Sequence, residues 1–256
     1  MQVLLVDGLN LVRRVHAGAV GQDDSASAID ATLSSCSASL RRALSQHAPS
    51  HVLCVFDADG ETWRHALFPG YKAGRKPMPA GLRAALPRFE QTFLEVGVRS
   101  ITMAGFEADD VIASMATAIA NRGGAARILS TDKKFCQLLR DGVEVFDHFA
   151  GHPLDTDYVE DKFRVRADQL ADYFALTGDA SLNIAGVRSV GPKTAARLLA
   201  RYTTLDALLD SVDEVGGRTG RMLRAHADAA RQAHRLMLLR LDVGIGANLR
   251  DFRYPS

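Results

Sequence analysis

Asp7, Asp57, Glu107, Asp109 and Asp132 each stand where an apolar, strand-like run ends or where the helix behind it begins. The runs are VLLV before Asp7, HVLCVF before Asp57, VRSITMAGF before Glu107 and RILST before Asp132. In an open α/β sheet the crevice beyond the carboxyl ends of the strands collects ligands and chemistry, so a parallel sheet would bring these acids to one edge. Carboxylates crowded within a few ångströms repel one another unless a cation neutralises them, and a hard divalent ion such as Mg²⁺ accepts all-oxygen ligation. Any one of these acids alone reads as a solvated loop residue. Recurrence at the ends of four successive strand candidates argues for a metal site instead.

A second signal is GVRSVGPKTA, Gly186 to Ala195. Its glycines permit tight turns, and Pro192 pre-sets the first turn of the following helix. The outward-facing N–H groups of that helix start, with Lys193, can hold a phosphate. Such a helix-loop-helix grips a nucleic-acid backbone without reading bases. It is no Walker A loop, because Pro192 separates the glycine from the lysine. A third segment, WRHALFPGYKAGRKPMP (Trp63 to Pro79), interleaves Arg64, His65, Lys72, Arg75 and Lys76 with Trp63, Phe68 and Tyr71. That mixture suits single-stranded nucleic acid through charge and stacking, although Trp63 taken alone reads as a packing residue. Beside a carboxylate cluster, its cations could neutralise the non-bridging oxygens of a phosphodiester.

The elements that must position these residues alternate as far as about residue 147. Strands are expected at Gln2–Val6, His51–Phe56, Val98–Thr102, Arg127–Ser130 and Val143–Phe146. Helices are expected at Ser25–Gln46, from Pro79 to about Glu95, at Glu107–Asn121 and, briefly, at Phe135–Leu139. Such alternation predicts a parallel sheet with helices on both faces. From Asp155 onward the pattern is helical only: Asp157–Phe163, Ala167–Leu176, Pro192–Tyr202, Leu205–Ser211 and Gly220 to about Arg240. The expected division is an α/β core over residues 1–155, with a basic arch at about 63–90, and a helical domain over 156–256.

At 256 residues and 47% hydrophobic, the chain can bury a full core. Its 31 basic and 30 acidic residues leave a formal charge of +1, so a nucleic-acid partner must be argued from charge distribution. Cys36, Cys54 and Cys136 are odd in number and show no paired spacing, which points to reduced thiols in a cytoplasmic protein. No secretory leader pattern and no apolar run of membrane-spanning length is present. The eight histidines show no ligand spacing, and Arg221, Arg224, Arg231, Arg235 and Arg240 read as a solvated face.

VLLVDGLN, VFDADG, FPGYKAGRKPMP, EADD (Glu107 to Asp110), STDKKFCQLL and LTGDASLNIAGVRSVGPKTA occur in an order that resembles the FEN-type 5′ nucleases. The resemblance runs from residue 3 to about 199 and is closest to the stand-alone members. It implies a parallel-sheet α/β nuclease core of the PIN/FEN-like kind, a basic arch and a C-terminal all-helical domain with a helix-three-turn-helix motif. The implied activity is metal-dependent, structure-specific hydrolysis of flapped or branched DNA by a monomer.

Carried over by position, the resemblance implies Mg²⁺ ligation by Asp7, Asp57, Glu107 and Asp109, with Asp109 or Asp110 shared toward a second ion near Asp132 and Asp179. Lys72 and Arg75 would contact the scissile phosphate, with Asp109 in the catalytic set. Backbone carbonyls of Leu176, Thr177, Ala185, Val187 and Val190 would hold K⁺, and Ser189, Val190, Gly191, Pro192, Lys193 and Thr194 would meet DNA. Two positions depart from the family: Lys134 and Leu182 stand where it has aspartates. One strong Mg²⁺ site and a second that is weak or absent are therefore expected. A non-catalytic binder of branched DNA and an RNA-cleaving PIN-type nuclease are the competing readings. A haloacid-type phosphatase is excluded, because Gly8 and Leu9 follow Asp7 where its motif needs a second aspartate.

Overall fold

Strand β1 (Gln2–Asp7) alternates its side chains between two apolar layers, and that alternation sets the architecture. Leu4 and Val6 face one side, where Leu11, Leu40, Phe89 and Phe93 pack. Val3 and Leu5 face the other, with Val111, Ile112, Phe135 and the apolar residues of the helical domain. Burial on both faces is what a parallel sheet requires. The computed structural model describes residues 1–21 and 23–255.

After β1 come α1 (Gly8–Ala19), α2 (Ala26–His47), β2 (His51–Val55), α3 (Trp63–Leu67), α4 (Ala80–Ala84), α5 (Leu86–Glu95) and β3 (Arg99–Ile101). Then follow α6 (Ala108–Ala120), β4 (Ala125–Leu129), β5 (Val143–Asp147) and β6 (His152–Pro153). The sheet order is β3-β2-β1-β4-β5-β6; β1 to β5 pair in parallel, whereas β6 runs antiparallel on the edge. The sheet is thus mixed rather than wholly parallel.

The helical part contains α7 (Thr156–Phe163), α8 (Leu170–Thr177), a hairpin of β7 (Gly178–Asp179) and β8 (Ile184–Ala185), α9 (Pro192–Tyr202) and α10 (Leu205–Asp210). It ends with α11 (Val212–Val215), α12 (Gly217–Ala225) and α13 (Ala227–Met237). The chain then returns to the core: Val243 N–H donates to Ser114 Oγ (3.0 Å), and Tyr254 N–H donates to the Ser50 carbonyl (3.0 Å).

Several expectations need correction. The helix foreseen from Pro79 to Glu95 is two helices that meet at Ala85, because Pro87 lies in the first turn of α5 and cannot continue a preceding helix. The polar stretch after Asp57 contains α3, and the turn foreseen as a helix at Phe135–Leu139 is a 3₁₀ turn, Lys133–Leu138. The hairpin β7–β8 interrupts a region expected to be helical throughout, and the long C-terminal helix breaks at His226. All three cysteines are free and buried, and among the described residues no helix is long and apolar enough to cross a membrane.

Candidate metal and nucleic-acid site

A cleft of about 460 Å³ at the carboxyl edge of β1 and β2 brings together Asp7, Asp57, Asp109, Asp132 and Asp179. Arg13, Arg14, Lys72, Arg75, Lys76 and Lys134 line the same cleft. Arg13 and Arg14 escaped the sequence reading because α1 was not foreseen; the pair LVRR at helical spacing after Asp7 was the available signal.

Local hydrogen bonding fixes each acid. Asp7 ends β1 and caps α1, accepting from Asn10 N–H (3.1 Å) and from Ser130 Oγ (2.8 Å). The chain turns from strand to helix at Gly8, where a Cβ would lie 2.8 Å from the Phe56 ring. Asn10 in turn clasps Thr131 through side chain and backbone, tying the ends of β1 and β4 together. Asp57 accepts from Ala108 N–H (2.6 Å), so it sits on the N-terminus of α6, whose first turn carries Asp109 and Asp110. The positive end of a helix favours carboxylates there. Asp132 caps the 3₁₀ turn, accepting from Lys134 N–H (2.8 Å).

The electrostatics divide the acids into two groups. Burial, with the nearby Asp109 charge, pushes Asp7 well above the carboxylate range, and Asp57 moves the same way for the same reasons. Asp109 is half-buried and partly desolvated as well, yet Lys134 and Lys72 overcome the desolvation and hold it below its ordinary value. Lys134 Nζ lies 2.6 Å from Asp109 and 3.6 Å from Asp132, and Lys72 Nζ lies 2.5 Å from Glu107.

Asp110 is a correction. Its side chain has no exposed surface and takes both Arg64 Nη atoms (2.6 and 2.9 Å), Trp63 Nε1 (2.9 Å) and Arg240 N–H (2.9 Å). Every lone pair facing its surroundings is engaged, so it braces the site and does not face the cleft. Arg64, read from sequence as a cation for nucleic acid, is completely buried; besides Asp110 it reaches Glu107 (3.0 Å) and the carbonyls of Leu236 and Leu238 (both 2.9 Å). Tyr71, read as a stacking platform, is buried and donates to Glu107 (3.1 Å). Trp63 is the packing residue expected, lying against the Arg64 guanidinium at 4.4 Å.

Among the described residues no group of three or more His, Cys, Asp or Glu side chains already stands arranged to hold a metal ion. The donor set is nonetheless the right kind for a hard cation: oxygen only, buried at Asp7 and half-buried at Asp57 and Asp109, and mutually repelling at those three. Lys72 and Lys134 draw Glu107 and Asp109 toward themselves, and a divalent ion would compete with those ammonium groups.

The turn foreseen for K⁺ is built by close approach of two glycines. A Cβ on Gly186 would lie 2.3 Å from the Thr177 carbonyl carbon, and one on Gly178 would lie 2.4 Å from Gly186 N. Val187 N–H donates to the Leu176 carbonyl (2.8 Å) and Val190 N–H to that of Val187 (2.9 Å), so Leu176, Thr177, Ala185, Val187 and Val190 share one compact turn. Ser189 is exposed with φ 73°, Gly191 caps α9, and Pro192, Lys193 and Thr194 form its first turn. Leu182 is buried, and its carbonyl accepts from Lys72 N–H (2.9 Å), while Asn183 donates to the Gly70 carbonyl (2.8 Å). The hairpin therefore supports the basic segment directly.

Comparison with known proteins is consistent along the whole chain. The family model for the 5′-3′ exonuclease N-terminal resolvase-like domain matches residues 2–164, and that for the 5′-3′ exonuclease C-terminal SAM fold matches residues 165–256. Flap endonuclease Xni of Aeromonas hydrophila is 42% identical over 255 residues, covering 99% of this chain and 96% of that protein. Flap endonuclease Xni of Shewanella woodyi is 40% identical over 253 residues, covering 99% and 98%. Among solved structures, the T5 D15 protein co-crystallised with metal ions aligns with a TM-score of 0.80 at 18% identity, covering 93% of this chain and 89% of that one. The T5 5′-exonuclease with bound zinc gives 0.78 at 19% identity, with the same coverage. At such identities these two likenesses concern the fold alone.

Proposed function

The chain belongs to the 5′-3′ exonuclease family, and from that membership we propose that it is a Mg²⁺-dependent, structure-specific 5′ nuclease that hydrolyses phosphodiester bonds in flapped or branched DNA. The observation that carries the reading is the convergence of Asp7, Asp57, Asp109 and Asp132 with Lys72 and Arg75 in one cleft. Relatives named as flap endonucleases, matched over nearly their full length, support the choice of flapped DNA over RNA.

In this reading Asp7, Asp57, Glu107 and Asp109 hold the principal divalent ion, and Asp132 and Asp179 offer remaining oxygens beside it. Such an ion, when bound, supplies a nucleophilic water at neutral pH and charge stabilisation for the displaced oxygen. Lys72 and Arg75 grip the non-bridging oxygens of the scissile phosphate. Ser130 and Asn10 keep Asp7 in place, and Arg64 and Tyr71 do so for Glu107. The N–H groups at Ser189–Thr194 receive a DNA phosphate at the start of α9, with K⁺ held on the carbonyls of the preceding turn. A monomer is sufficient, since one chain carries all these groups.

One observation favours a second reading, a branched-DNA binder without cleavage: Lys134 already neutralises Asp109. Cleavage of an end-labelled 5′-flap DNA with Mg²⁺ and K⁺ decides between them. The nuclease reading expects product from the wild type, none from Asp109→Ala, and flap binding by both. Flap binding without product from the wild type refutes it.

A further inference from the structure

Phe149 is 39% exposed, and among the described residues no other Phe, Tyr or Trp stands as open to solvent. Its outward pose is built by the turn between β5 and β6. Asp147 ends β5 buried, and its Oδ1 accepts from the N–H groups of Phe149 (3.1 Å) and Ala150 (3.0 Å), while its carbonyl accepts from Gly151 N–H (2.8 Å). Such a self-bonded aspartate turn holds the ring outward with no help from a partner. His148 backs the ring edge-on at 5.7 Å and 71°, and its Nε2 lies 2.8 Å from Ser39 Oγ of α2. Arg14 lies over the ring, its guanidinium carbon 5.3 Å from the centroid. Arg14 is exposed, and among the described residues it pairs with no carboxylate.

This pair adjoins the carboxylate cleft. Arg14 lines the cleft itself, and a gap of about 10 Å³ beside Phe149 is lined by Asn10 and Ser130, which hold Asp7. Helix α1 packs on the sheet face opposite the helical part, since Leu11 and Val12 belong to one apolar layer and Leu182 to the other. A DNA strand held at the start of α9, with a phosphate among the acids, runs on toward Arg14 and Phe149 as it crosses the sheet edge. We propose that Arg14 and Phe149 form a stacking platform for one nucleobase of the substrate DNA, on the side of the cleft away from the helical part. The inference rests on the nuclease reading and adds a base contact to its phosphate contacts. Aromatic rings and guanidinium planes both stack bases, and every base has a π-face, so the platform accepts any of the four. A ring already held in place loses little freedom on binding, so the contact adds affinity and fixes which phosphate meets the acids.

The test is a double-mutant cycle on binding by the full-length chain, read as fluorescence anisotropy of a labelled 5′-flap DNA with Ca²⁺ in place of Mg²⁺. Phe149→Ala should weaken binding about 5- to 150-fold, the range for loss of one base stacked on an aromatic ring. An abasic nucleotide is then placed at each position about the flap junction in turn. At one position it should weaken wild-type binding by a like factor and Phe149→Ala binding no further. Phe149→Trp should keep wild-type affinity and Phe149→Leu should lose it, a split that a merely apolar surface contact would not give. Arg14→Ala should weaken binding too, and add little to Phe149→Ala. Circular dichroism checks that each variant is folded, and Phe149→Leu takes the place of Phe149→Ala in the cycle if the latter is not. Wild-type affinity in Phe149→Ala, or additive losses at every position, overturns the proposal. Coupling at one position, with no product from the wild type in Mg²⁺, would refute the nuclease reading while upholding the platform; product without coupling would do the reverse. Absence of flap binding by the wild type refutes both.

Discussion

Replacing Gly186 with alanine should dislodge the turn that presents the carbonyls of Leu176, Thr177, Ala185 and Val187. The new Cβ would lie 2.3 Å from the Thr177 carbonyl carbon, 2.5 Å from its oxygen and 2.6 Å from Gly178 N. All three are backbone atoms, so no side chain can swing aside. The end of α8 or the β7–β8 hairpin would have to withdraw by about 1 Å to restore ordinary contact. Gly186 has no left-handed φ, so the penalty is contact alone. Overpacking of this kind costs about 1–3 kcal/mol, and backbone on the receiving side places it near about 3. For a chain of this size each kcal/mol lowers Tm by roughly 2–4 °C, giving a fall of about 6–12 °C in a thermal scan. The same variant should lose any K⁺-dependent gain in flap binding, measured at constant ionic strength. Gly18→Ala is the control of opposite sign: Gly18 lies exposed in α1 with nothing within 4 Å, and alanine there should stabilise by about 1 kcal/mol. A Gly186→Ala protein melting within about 2 °C of wild type and keeping its K⁺ response would refute the argument.

Arg64→Met should cost about 3–5 kcal/mol in denaturant unfolding, since it leaves Asp110 buried without its cation and leaves Glu107 with Lys72 alone; adding Asp110→Asn should recover part of that loss. Trp63→Phe should cost about 1–3 kcal/mol by removing one donor from the Asp110 carboxylate, with flap affinity unchanged if Trp63 only packs. His47 should make stability pH-dependent. Burial, aided by Arg127 and His148, lowers its pKa to about 4, so between about pH 4 and 6.5 the unfolded chain binds the extra proton. Stability should therefore rise with pH across that window and fall on acidification. His47→Gln should show a shallower slope in urea melts from pH 4.5 to 7, and an identical slope would contradict the assignment.

The core was legible because its signals are local. Strands at Asp7, Asp57 and Asp132 announce themselves by β-rich runs closed with an acid, and parallel pairing then forces those acids to one edge. What escaped was set by tertiary contact. Arg64 and Tyr71 sit among basic and aromatic neighbours that read as an exposed loop, yet both are buried because Glu107 and Asp110 lie beneath them. Nothing in the spacing of EADD separates Asp109, which lines the cleft, from Asp110, which turns inward; only the position of α3 decides it. The lysine at position 134 was visible as a departure from the family, but its bridge between Asp109 and Asp132 depends on α6 packing beside the 3₁₀ turn, which no local pattern encodes.

The segment after α13 fastens the helical part to the sheet in a way that bears on how the molecule opens. Gln137 holds Met237 and Leu239, Ser114 holds Arg240 and Val243, and Arg253 bridges to His51 at the start of β2. One continuous apolar cluster runs from Val3 and Leu5 through Leu176 to Leu236. The helices are therefore enclosed in a loop of chain anchored at both ends, and they cannot swing away without tearing that cluster. In native-state hydrogen exchange, amides of α8 and α13 should be released together with those of β1 and β4, through one shared opening. Two regions that differ in composition would then behave as a single cooperative unit.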